Sequence, residues 1–134
     1  MYETNEEEWL GMSFWNKLIN RIKQLFSGKT AKFDPKEKDG VWYQETKPGV
    51  VRIGMTDQVY EDLGDITFMD FSSPDNQLDI DDDLLEMEGA KAVETLKSPV
   101  KGTIIARNND LLKQSDQLAK HTTQENWLVD VKTA

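Results

Sequence analysis

The sequence predicts a mainly β domain, a small sandwich or barrel with short helices, preceded by an amphipathic helix. Three observations carry that reading. Strand-like runs recur roughly every eight to twelve residues from Val41 onward, and turn residues separate them. Ahead of them, the apolar residues of the first thirty positions recur at spacings of three and four.

The N-terminal segment, residues 1–28, reads as a helical extension. Trp15, Leu18, Ile19, Ile22, Leu25 and Phe26 form one apolar stripe, and Trp9, Leu10 and Met12 extend it. Lys17, Arg21 and Lys23 fall elsewhere on the wheel, and Gly28 supplies a C-terminal stop. Such a stripe suits docking to a partner or a second copy, packing on its own domain, or, least well given Glu6, Glu7 and Glu8, a membrane surface. Residues 29–40, with Pro35 and Gly40, read as a linker.

Residues 41–134 form the domain. Val41–Gln44 and Val50–Ile53 are strands around the turn Lys47-Pro48-Gly49. Thr56 or Asp57 caps a short helix that Gly64 closes. Ile66–Phe71 alternates at period two. Leu84–Met87, Ala92–Leu96, Thr103–Ala106 and Trp127–Val131 are further strands, and Asn109 or Asp110 caps a helix over Leu111–Ala119.

Composition limits the function classes. The net charge is -9, with 25 acids against 16 bases, which argues against a nucleic-acid partner and for a basic protein partner. There are no cysteines, hence no disulfide framework and no thiol nucleophile. No run of apolar residues is long enough for a membrane helix, and the acidic N-terminus is unlike a secretory signal, so a cytoplasmic protein is expected. Ser98 and His121 have nothing in the sequence to orient them as a catalytic pair. The run Asp79–Asp83 lacks the glycine and closing glutamate of a calcium loop, so no catalytic and no metal residues are expected.

The informative stretch is Glu86-Met87-Glu88-Gly89-Ala90-Lys91-Ala92-Val93-Glu94. Two strand-like runs flank a tight connection whose small residues leave the Lys91 side chain projecting and open to a modifying enzyme.

Glu88-Gly89-Ala90-Lys91-Ala92-Val93, followed by Pro99, Gly102 and Asn108, resembles the lipoyl-attachment region of the glycine cleavage system H proteins and H-like lipoyl carriers. Ile53-Gly54-Met55-Thr56-Asp57, Leu63-Gly64-Asp65-Ile66 and Trp127-Leu128 resemble further signatures of that family in the same order, so that the resemblance spans residues 41–132. Biotinyl carriers, the other modified-lysine family, place Met on both sides of the lysine; here Ala90 and Ala92 stand there.

The resemblance implies a lipoyl-domain-like barrel-sandwich hybrid with the lysine on an exposed hairpin. It implies lipoate held covalently by Lys91, with Glu88, Gly89, Ala90 and Ala92 read by a lipoate ligase or lipoyl transferase. It also implies a carrier rather than an enzyme, handing an aminomethyl group or reducing equivalents among glycine decarboxylase, an aminomethyltransferase and dihydrolipoyl dehydrogenase. The chain departs from the family pattern at Gly40, where a His usually stands two residues before Trp42, at Gly89-Ala90 in place of Ser or Thr followed by Val, and in its N-terminal extension. An H-like carrier serving lipoate transfer or a redox or stress pathway is the alternative, and a non-catalytic interaction module the second. The carboxylates of Asp79 to Glu94 are expected to steer basic partners, the more so once acylation removes the Lys91 charge.

Overall fold

The computed structural model describes residues 32–133, and the expected N-terminal helix lies outside them. In chain order the elements are β1 (Lys36–Lys38), β2 (Val41–Lys47), β3 (Val50–Met55), α1 (Asp57–Leu63), β4 (Ile66–Phe71), β5 (Gln77–Leu78), β6 (Asp83–Gly89), β7 (Val93–Lys97), β8 (Gly102–Arg107), α2 (Asn109–Leu112) and β9 (Trp127–Lys132), with 3-10 turns at Ser115–Lys120 and Thr123–Glu125. Every strand pairing is antiparallel. The strands form a six-stranded sheet, β1-β2-β3-β9-β8-β5, and a three-stranded sheet, β4-β6-β7.

One core serves both sheets. Ile53 and Met55 of β3 and Leu128 of β9 join Leu85, Met87 and Leu96 of the smaller sheet in a single buried cluster. The period-two pattern sets the facing, and a slip of one residue would turn each strand inside out. In β6 the consecutive buried pair Leu84 and Leu85 breaks that alternation. A register shift between Asp83 and Leu85 accounts for it, because the extra residue lets both side chains face inward. At the far end of the core Trp42 is buried over Gly54. A Cβ on Gly54 would fall 2.1 Å from the indole Cε2, so only glycine fits there.

The predicted strands are present; five of them run one to three residues longer, Ile66–Phe71 is as expected, and the strand expected over Ala92–Leu96 is shifted by one to Val93–Lys97. The structure adds two. β1 lies inside the stretch read as a linker and pairs with β2 through Asp39 and Gly40, both at positive φ (50° and 89°). Such an Asp-Gly pair matches the twist of a two-residue hairpin. β5 is a two-residue strand on the edge at β8.

The helix expected over Leu111–Ala119 is not continuous. α2 ends at Leu112, Gln114 leaves helical geometry (φ -120°, ψ 32°), and a 3-10 turn follows. Leu111 and Leu118 are both buried, so the apolar spacing is met by two short pieces instead of one helix. Asn126, fully buried, donates to the Leu118 carbonyl and fixes the second piece. Among the described residues no helix is long and apolar enough to cross a membrane.

Candidate functional site: the hairpin of Lys91

β6 and β7 meet in a two-residue connection, Ala90 and Lys91, closed by the Gly89 N–H donating to the Ala92 carbonyl at 2.9 Å. Neither connecting residue has positive φ. The turn is therefore not of the primed kind that twists two strands together unaided.

The tip is held by α1 instead. The Ala90 N–H donates to the Asp65 carbonyl at 2.8 Å, and the Lys91 N–H to the Leu63 carbonyl at 2.9 Å. A helix end leaves its last carbonyls without partners, and here the tip supplies a donor to one of them. Two glycines permit the approach. Gly89 lies against Leu63 so closely that a Cβ would fall 2.4 Å from the Leu63 carbonyl oxygen. Gly64 ends α1 at φ 76°, ψ -149°, a conformation essentially confined to glycine.

With its backbone fixed, the lysine side chain lies over Gly64, whose absent Cβ leaves room for the Lys91 Cγ and Cδ methylenes. Among the described residues the Nζ contact is the Glu61 carbonyl at 3.5 Å, the outer limit of a hydrogen bond. Lys97, at the far end of β7, contrasts with it: its ammonium meets the Asp83 carboxylate at 2.7 Å, which raises its pKa. Lys91 is exposed and lightly held.

A cleft of about 490 Å³ opens on the same elements, lined by Tyr60, Glu61, Gly64, Asp65, Ser115 and Asp116 among others. Burial, helped by Asp57, pushes the Tyr60 phenol up to about 12.

The comparisons with known proteins bear on this hairpin. The family model described as Glycine cleavage H-protein matches residues 31–134. The chain belongs to the glycine cleavage H-protein family. It is 32% identical over 95 residues to a probable glycine cleavage system H protein of Thermococcus gammatolerans, covering 71% of this chain and 70% of that one. It is 30% identical over 104 residues to the glycine cleavage system H protein of Vibrio cholerae, covering 78% and 80%. In structure it is similar to a glycine cleavage system H protein from Mycobacterium marinum, with a TM-score of 0.64 at 25% identity, covering 73% of this chain and 81% of that one. The lipoyl-carrier fold of the family is thus the fold of this domain.

Of the residues singled out in the sequence, Glu88, Gly89, Ala90, Lys91 and Ala92 come together at the tip, with Glu88 on β6, exposed beside it. The acidic run does not join them. Asp83 opens β6 and Gly89 ends it, which sets the run about 20 Å from the tip. There Asp79, Asp81 and Asp83 pair with Lys101, Lys38 and Lys97, so part of their charge is already balanced. Ser98 is bound to Val100 and His121 to Asn126, each within its own turn. No group of three or more His, Cys, Asp or Glu side chains that could hold a metal occurs among the described residues.

The residues that sequence reasoning did not assign to the site are Leu63 and Asp65, which act through their carbonyls, and Gly64. The signal was present in the block Leu63-Gly64-Asp65-Ile66, since a glycine between a core residue and a strand marks a close approach.

Proposed function

We propose that Lys91 is the lipoate attachment site, and that the chain presents the lipoyl arm in turn to glycine decarboxylase, an aminomethyltransferase and dihydrolipoyl dehydrogenase. The observation that supports this most directly is the division of labour at the tip. Backbone bonds to α1 fix the direction of the lysine, while its Nζ stays exposed with one weak contact. Acylation needs a free amine, and it changes none of the bonds that hold the tip.

Glu88, Gly89, Ala90 and Ala92 are the residues a lipoate ligase or lipoyl transferase reads, the small ones by letting its active centre close over the lysine. The dithiolane supplies reversible disulfide chemistry and carries the transferred group. The protein's part is to hold the arm and dock. Tethering makes each encounter at a docked partner intramolecular, with an effective concentration of roughly millimolar. The chain contributes no thiol of its own to compete with the arm.

The test is the intact mass after incubation with lipoate, ATP and a lipoate ligase. One lipoyl addition, absent from Lys91→Arg, is expected. No addition would remove the carrier reading and bring forward an interaction module.

A second reading rests on Gly40. The family pattern has His there, but a Cβ at Gly40 would fall 2.8 Å from Val59 Cγ2 and 3.3 Å from Leu96 Cδ2, and φ is 89°. A side chain at position 40 would press on Val59 and Leu96 and strain this backbone conformation. An H-like carrier with a different partner set, serving lipoate transfer or redox defence, follows from a changed surface of this kind. Reconstituted glycine cleavage separates the two: turnover with the lipoylated chain supports the first reading, and its absence alongside full lipoylation supports the second.

A further inference from the structure

The outer face of the three-stranded sheet ends at the lysine hairpin. Directly opposed residues of neighbouring strands share a face with Cβ atoms about 5 Å apart. The register places Phe68 of β4 opposite Glu88 of β6, and Glu88 opposite Val93 of β7. The next row on that face is Asp70, Glu86 and Thr95. All six side chains are exposed, and two of them are large and apolar: Phe68 is 46% accessible and Val93 70%.

Isolated exposed apolar residues are ordinary on a protein surface. These two stand in one row, one on each side of Glu88, and Val93 follows Lys91 by two residues. The two rows carry three carboxylates and no base, and Lys97, next along β7 on that face, is paired with Asp83. The opposite face of the same strands is spent on the core through Met69, Leu85, Met87 and Leu96.

We infer that the row Phe68–Glu88–Val93 is a docking surface for the enzyme that acylates Lys91, which meets it with an apolar seat rimmed by Lys or Arg. The inference rests on the carrier reading and adds to it the parts of β4 and β7. An enzyme that docks on the hairpin tip to reach Lys91 meets this row beside it, because Val93 stands two residues from the lysine and Glu88 three. Three carboxylates in these two rows, with Lys97 beyond them already paired to Asp83, select a basic rim over an acidic one and speed the encounter. The apolar pair then contributes through burial, the part of an interface that most determines residence time.

The test measures initial rates of lipoyl addition to the full-length chain by a lipoate ligase, over a range of protein concentrations. Phe68→Ser combined with Val93→Ser is expected to raise KM about tenfold, equivalent to about 1.4 kcal/mol of docking energy, with kcat near wild type. Phe68→Leu with Val93→Ile restores KM. Glu86→Lys, on the face, raises KM, whereas Glu37→Lys, on exposed β1, leaves it unchanged.

Unchanged KM in the double serine variant, with its thermal transition preserved, overturns the inference. So does an equal response to Glu86→Lys and Glu37→Lys, which would reduce the effect to net charge. If the double variant fails to fold, either serine substitution alone and Glu86→Lys decide the matter by the same criterion. A changed oligomeric state in the serine variants at unchanged KM assigns the face to a second copy and equally overturns it. Failure of the wild-type chain to gain a lipoyl group removes the carrier reading itself, and this inference with it; a normal wild-type rate with insensitive face variants removes only the inference.

Discussion

Two hairpin tips flank α1, and they are built in opposite ways. The β1–β2 tip, Asp39-Gly40, closes by its own chemistry: both residues adopt positive φ, the arrangement that carries the strand twist through a two-residue turn. The Gly40 carbonyl then accepts from Thr56, the residue that begins α1. The β6–β7 tip, Ala90-Lys91, has no positive φ and takes its hold from the other end of the helix, through Leu63 and Asp65. The first tip is specified by its own two residues. The second is specified by a distant helix end, which frees position 91 to be a long, exposed side chain instead of a turn-former.

The comparison can be broken most decisively at the lysine. Lys91→Arg should abolish lipoyl addition, while Lys47→Arg, at the base of the Pro48-Gly49 turn, should leave it intact, both read from intact mass. Next comes the external hold. Gly89→Ala sets a Cβ against a backbone carbonyl that cannot give way cheaply, and should cost about 1–3 kcal/mol in denaturant unfolding. It should also slow lipoylation severalfold, since the tip must move off Leu63.

Gly40→Ala sharpens the contrast. Its left-handed backbone and the contact with Val59 should cost about 1–2 kcal/mol, with the rate of lipoylation unaltered. Of similar size is Arg52→Ala on β3. The Arg52 guanidinium makes two bonds to the Asp130 carboxylate (2.8 and 2.9 Å) and lies 4.1 Å over the Trp127 ring. Removing it should cost about 1 kcal/mol after allowing for solvent screening of a side chain one-third exposed, again without effect at Lys91.

The smallest effect is one of pH. Glu125 completes a capping box with Thr122, and accepting the Thr122 N–H holds its pKa below the ordinary value of 4.5. Its folded-state pKa is depressed, so its contribution is complete above 4.5 and disappears as pH falls through the lowered value. Glu125→Gln should flatten the stability profile in that acid range alone, which thermal melts at pH 3 to 6 would detect.

Much of this was legible in the sequence, for identifiable reasons. β3, β4, β6 and β9 were legible as short apolar runs because each puts a face on the shared core, although register shifts interrupt strict period two in them. The exposed position of Lys91 was legible from the small residues around it and the strand-like runs on either side, while its proposed role rests on the family resemblance. β1 was not, because Lys36, Glu37 and Lys38 bury nothing and only their pairing makes them a strand. Its signal was the Asp39-Gly40 pair, hidden in a stretch that otherwise reads as polar linker. The break at Gln114 was invisible because Leu111 and Leu118 keep the spacing of a continuous helix. The hold on the lysine tip was invisible as well, since it joins backbone groups of residues 25 and 28 positions apart, and carbonyls leave no trace in side-chain pattern.

A consequence follows from the way α1 spans the two tips. The backbone at the tip is tied at two points, to Leu63 at the end of α1 and to Asp65 just beyond it, and Thr56 at the other end of the helix is bonded to Gly40. What swings is the side chain and whatever it bears, about one fixed pivot. On the proposed attachment at Lys91, the distance at which a partner must place its reactive centre is set by covalent bond lengths from that pivot, and the domain acts as a ruler.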